Sequence, residues 1–188
     1  MHCQYLANDS LIPYDRYDEL RAPQTQYDLV IYLIQYITQW SPPDTLLNDQ
    51  TYKNFIKTAE ELALAVNDYM NVISKLGTNT ITNGIISYAY SKGCSMQSAI
   101  DYYYDYIKRM DSELHTMRAT IMADSEYRSD SLDEYLESVM NVSFGLYSAF
   151  YKWFNIEVSD GYFWSPKWNQ FIDSVIANKD ITTNHHDF

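Results

Sequence analysis

Phe55, Ala59, Leu62, Ala63, Val66, Met70 and Ile73 recur at intervals of three and four through residues 50–76, a stretch without Gly or Pro. That spacing puts one apolar face on a long helix, and such a face needs neighbouring elements to cover it. Elsewhere Pro42-Pro43, Gly77, Gly93, the polar run 124–130 and Ser159-Asp160-Gly161 divide the chain into pieces of helical length. The pattern predicts helices over 26–40, 50–76, 79–92, 95–122, 130–156 and 166–178. Five Gly and five Pro in 188 residues are too few for the turns of an all-β protein. The expectation is an all-α helical bundle forming a single domain over 1–188, with 179–188 a disordered tail.

Charge narrows the partners. Thirteen basic against twenty-five acidic residues give a net charge of −12, which repels phosphate backbones and offers no basic stripe to nucleic acid or anionic lipid. The longest apolar run, Leu29 to Ile37, is broken by Tyr32, Gln35 and Tyr36 and is far too short for a membrane span. Cys3 and Cys94 lack metal-ligand spacing and read as reduced thiols. With no basic-then-apolar leader at the N-terminus, the expected location is the cytoplasm.

Two local signals are structural. Ser95 is a good N-cap, and Ala99, Tyr102, Tyr103, Tyr106 and Met110 follow it at helical spacing, a Tyr-rich stripe suited to helix packing. Asp124, Asp130 and Asp133 crowd a loop and helix start, where acidic groups favour the helix dipole. His115 stands alone and reads as a surface or half-buried residue. His185-His186-Asp187 lies in a tail with no scaffold to fix ligand geometry.

Five segments fall in a consistent order between Tyr17 and Asp101. They are Tyr17-Asp18-Glu19-Leu20-Arg21, the run Tyr27 to Tyr36 containing Gln35, Asn67-Asp68, Asn83-Gly84-Ile85-Ile86, and Gly93-Cys94-Ser95-Met96-Gln97-Ser98-Ala99-Ile100-Asp101. In order and spacing this series resembles the C-terminal half of the class I terpene synthase α-domain, in microbial and fungal sesquiterpene cyclases. The resemblance implies Mg²⁺-dependent ionisation and cyclisation of a prenyl diphosphate of the farnesyl class. In that family Arg21 would sense the diphosphate, and the second metal motif would place oxygen ligands at i, i+4 and i+8 of one helix, here Asn67, Asn71 and Lys75.

The chain departs from that pattern in ways that bear on chemistry. Amide oxygens from Asn67 and Asn71 are acceptable hard ligands, but the Lys75 ammonium has no lone pair and repels a cation. Mg²⁺ binding is therefore expected to be weak, with Lys75 suited instead to holding a diphosphate directly. Where the family closes with an Arg-Tyr pair, the run Phe144 to Phe154 has no Arg; Lys152 is a point-charge substitute for diphosphate, or simply a surface Lys near a helix end. No Asp-Asp-x-x-Asp occurs in the sequence.

Three functions follow as expectations. The chain is part of a terpene synthase that is impaired or inactive in isolation, a non-catalytic relative that binds an isoprenoid or a partner, or an unrelated all-α interaction protein. Helical faces left uncovered by the absent half would call for a homodimer or a complementing N-terminal half. If catalysis occurs, cation-stabilising aromatic faces come from nineteen Tyr and four Trp.

Overall fold

The computed structural model describes residues 12–21, 26–76 and 83–153. Seven helices and no strand occur among them: α1 (Tyr14–Arg21), α2 (Tyr27–Thr38), α3 (Asp44–Asn48), α4 (Gln50–Leu76), α5 (Gly84–Lys92), α6 (Met96–Ala123) and α7 (Asp130–Trp153). Four of the six expected helices lie close to their predicted bounds, whereas the helix expected over 79–92 begins only at Gly84, because Asn83 takes an extended backbone and caps it. The expected 166–178 helix and the 179–188 tail lie outside the described residues. Two elements add to the expectation. The Tyr17–Arg21 segment is itself helical as part of α1, and Pro43 leads directly into the short α3, in keeping with the ready fit of Pro at a helix start.

Helix α4 is the axis of the bundle, flanked by α6, α7, α5 and α3. Most of its expected stripe is buried: Phe55, Ala59 and Leu62 are fully enclosed, Ala63 and Val66 nearly so, and Met70 is partly covered, while the Ile73 side chain lies outside the described residues. Tyr52, Ala65, Tyr69 and Val72 widen that face, because α4 is covered on more than one side. Polar pins hold it to its neighbours. The Tyr52 and Tyr135 hydroxyls meet at 2.8 Å across α4 and α7, and the buried Ser143 hydroxyl reaches the Ala59 carbonyl at 3.0 Å and the Tyr27 hydroxyl at 3.1 Å. Buried polar atoms are costly unless paired, so these bonds fix one register of α2, α4 and α7.

Helix α7 runs antiparallel to α2. Ser143 meets Tyr27 at the start of α2, while Tyr135 packs on Trp40, just past its end, with ring centroids 5.0 Å apart. The ends of α2 are made without glycine: Gln26 and Gln39 take left-handed backbone angles (φ 49° and 53°), and Trp40 N–H closes onto the Gln35 carbonyl. At the end of α5 the left-handed position is Gly93 (φ 60°), where the missing Cβ removes the steric cost. Ser95 caps α6 as expected, accepting from the Ser98 N–H at 3.1 Å.

Outside the core, the acidic cluster is structural. Asp124 accepts from the Glu126 N–H, and Asp133 in the first turn of α7 pairs with Arg118 of α6 at 2.7 Å. His115 is exposed beside Asp111. No helix among the described residues is long and apolar enough to cross a membrane.

Candidate functional site

Helices α1, α4 and α5 converge on one buried carboxylate, Asp68. It follows Asn67 on α4, between buried apolar positions, and is only 2% exposed. The Tyr17 hydroxyl donates to its Oδ2 at 2.7 Å, and the Gly84 N–H, at the start of α5, donates to the same oxygen at 3.0 Å. Oδ1 faces the Arg21 guanidinium at 3.5 Å. Arg21 also donates through Nη2 to the Asn67 side-chain oxygen at 3.2 Å, and through Nε to the Tyr17 hydroxyl at 3.1 Å. One guanidinium therefore ties the α1 segment to both residues of the Asn-Asp pair.

Asn83 completes the shell from below. Its Oδ1 accepts from the Ile85 and Ile86 N–H groups, capping α5, while its Nδ2 donates to the Asp68 carbonyl at 2.7 Å. A helix start aims its unpaired N–H groups at negative charge, so α5 presents its positive end to the carboxylate. Gly84 is needed there for space. A Cβ at that position would be driven into the Tyr103 hydroxyl and would lie 2.9 Å from both Asp68 Oδ2 and Tyr17 Cε1.

Electrostatics follow from this burial. Removal from water pushes the Asp68 carboxyl up to about 6, against the pull of Tyr17, Arg21 and the Gly84 N–H, which favour the ionised form. Burial works against the Arg21 charge, yet Tyr17 and Asp68 outweigh it and hold the guanidinium above its ordinary value. Tyr17 is raised as well, first by burial and then by Asp68. Behind the centre, Tyr14, Tyr88, Tyr102, Tyr103 and Tyr106 form a packed aromatic group, with Tyr88 stacked on Tyr102 at 4.1 Å. The Tyr-rich stripe of α6 thus contributes to helix packing against α1 and α5.

Of the sequence-derived site residues, Arg21 and Asn67 are brought into contact. Asn71 lies one turn along α4, half-buried. Lys75 lies on α4 and Lys152 on α7; the helices are described at both positions, their side chains are not. Five members of the centre are not among the site residues expected from sequence: Asp68 as the buried hub, and Tyr17, Asn83, Gly84 and Tyr103 around it. A charged residue set between the apolar positions Val66 and Tyr69 was the available signal for Asp68.

The sequence model of the family described as "Terpene synthase family 2, C-terminal metal binding" matches residues 3–110, more than half of the chain. The chain belongs to this family. The match spans α1 to α5 and much of α6, so it includes the whole Arg21–Asn67–Asp68 centre of this terpene synthase-like region. No curated protein matches the chain.

Metal binding is a property of that family, and the described residues fit a Mg²⁺ ion poorly. The Asn67 amide oxygen already accepts from a guanidinium, and the Asp68 carboxylate is enclosed and committed to Tyr17, Gly84 and Arg21. Mg²⁺ prefers octahedral oxygen ligation with carboxylates. Among the described residues no group of three His, Cys, Asp or Glu side chains could hold a metal. A cation drawn to Asn67 would also meet the positive charge of Arg21.

Proposed function

We propose that this terpene synthase-like chain binds the diphosphate end of a prenyl diphosphate of the farnesyl class through cationic side chains, without turning it over on its own. Arg21 is the principal contact, with Lys75 and Lys152 as further positive charges; Asn67 and Asn71 are the amide-oxygen positions of the family's metal motif and would serve a cation, not the anion itself. The carrying observation is the link from Arg21 to Asn67 and Asp68, which ties the α1 segment to the Asn-Asp pair of α4.

Arg21 is the member of the centre best placed to change partners. Its side chain is 21% exposed, whereas Asp68 is 2%. A diphosphate at the surface of the centre presents oxygens that a guanidinium holds in pairs, and these would replace its present partners Asn67, Tyr17 and Asp68. As Arg21 turns outward, Tyr17 and the Gly84 N–H keep the Asp68 carboxylate in place, and its raised pKa allows it to take a proton instead of standing unpaired. These residues bind and register the anion. The acidic ligands of a complete catalytic centre would come from a complementing N-terminal half.

Calorimetry with farnesyl diphosphate, with and without Mg²⁺, is the test, together with hydrocarbon analysis of extracts. Metal-independent binding is expected, lost in Arg21→Met and weakened in Lys75→Gln, with no terpene product. Turnover in magnesium buffer overturns the non-catalytic part of the reading, and absence of binding in both buffers overturns the ligand.

A further inference from the structure

Helix α2 is apolar on two faces, and only one of them is buried. Tyr27, Ile31 and Ile34 lie inside, whereas Leu29, Tyr32, Leu33, Tyr36 and Ile37 are 52–76% exposed. Those five follow the i, i+3, i+4, i+7, i+8 spacing of a helix-packing ridge. Leu47 and Tyr90 are the other large hydrophobics exposed among the described residues, so exposed apolar surface is concentrated on this helix. At these exposures the five residues present roughly 600 Å², at the upper end of the apolar patches that soluble monomers carry.

We propose that this face is a homodimer interface, in which two copies of the chain pack α2 against α2 in antiparallel order about a two-fold axis. The ridge is self-complementary. Leu29, Leu33 and Ile37 form an aliphatic row at i, i+4 and i+8 that is symmetric about Leu33. A two-fold axis at Leu33 lays the row beside itself, Leu33 next to its own counterpart and Leu29 next to Ile37 of the other copy, as an isologous contact requires. Tyr32 and Tyr36 flank the row, where a large ring covers the contact while its hydroxyl keeps to the wet rim.

Charge favours the same occupant. Asp28 is the one residue of α2 charged at neutral pH, and no Lys or Arg occurs between Arg21 and Lys53. Molecules of net charge −12 repel least where their charged groups are fewest. In antiparallel order the two Asp28 residues stand about 15 Å apart along the helix axes, beyond the roughly 10 Å over which charges act at 0.1 M salt. A lipid surface suits the face poorly, because it offers no Lys or Arg to anionic headgroups and the whole molecule repels them. Together the two faces remove up to roughly 1,200 Å² from water, the lower end of what specific interfaces bury, which fits a dimer that comes apart on dilution.

Light scattering and sedimentation velocity of the full chain, from about 1 µM to about 200 µM, read the assembly directly. Mass is expected to rise from monomer to dimer, and added salt to favour the dimer by screening the repulsion between copies. Leu33→Glu is expected to weaken association at least tenfold while leaving the thermal melt of the diluted protein unchanged, and Tyr90→Glu, at an exposed position of α5, to leave association as it was. Leu33→Cys under mild oxidation, with native Cys3 and Cys94 in place, is expected to give a disulfide joining position 33 of two chains, mapped by mass spectrometry. Monomer mass at every concentration would overturn the proposal, and so would a dimer that Leu33→Glu leaves intact. A monomer that floats with neutral phosphatidylcholine vesicles would assign the face to lipid and overturn it as well.

Discussion

Asp68 and Arg21 set the stability of the centre through opposite demands. The carboxyl is held above its ordinary value, so the folded state binds its proton more tightly than the unfolded chain does. The contribution of this group is fully present below about pH 4 and is lost as pH rises through about 6. Arg21→Met removes the charge that offsets the buried carboxylate, and breaking such a pair costs about 3 kcal/mol where Asp68 is ionised. Urea denaturation of this variant is expected to show that loss at pH 7.5 and a clearly smaller one at pH 4.5, where the carboxyl is neutral. Equal losses at both pH values would mean that packing by the Arg21 stem, not its charge, is what matters. Gly84→Ala is a steric test of the same shell. The methyl group has Tyr103, Asp68 and Tyr17 in its way, and overpacking of this kind costs about 2–3 kcal/mol. A lower denaturation midpoint with an unchanged slope would carry that prediction.

Helix boundaries show what sequence can and cannot disclose. Where the stop signal is chemical the elements were legible: Ser95 caps α6, Gly93 closes α5, and the three-four spacing of α4 marks its buried face. Helix α3 escaped because five residues are too few to show a period. The ends of α2 carried no glycine, since Gln26 and Gln39 take the left-handed angle instead. At the site, Arg21 and Asn67 could each be assigned to one family site by resemblance, but their contact and the hub role of Asp68 depend on α1, α4 and α5 meeting. No short-range pattern encodes that meeting. Asn83 shows how one side chain joins two elements, capping α5 and bonding the α4 carbonyl at Asp68. Asn83→Ala is expected to cost about 2–3 kcal/mol, more than a simple cap, because it also leaves a buried carbonyl without its donor. Hydrogen exchange should show the first turn of α5 opening ahead of α4; equal loosening throughout the bundle would count against a local cap.

For the whole molecule, the imbalance of charge acts on every element at once. A net charge of −12 repels itself in the compact state, and salt screens that repulsion over about 10 Å at 0.1 M. Raising salt at pH 7.5 is expected to raise the melting temperature, and the gain should shrink toward pH 5 as the net negative charge of the molecule falls. A salt response that is flat at both pH values would show that the acidic groups lie too far apart to matter. The interior has a different sensitivity. Tyr27 is pushed up to about 12 by burial, and Tyr17 and Tyr52 are held higher still. In strong alkali these three phenols surrender their protons only as the bundle comes apart. The delayed ultraviolet signal of phenolate would then serve as a built-in clock for the dissolution of the interior.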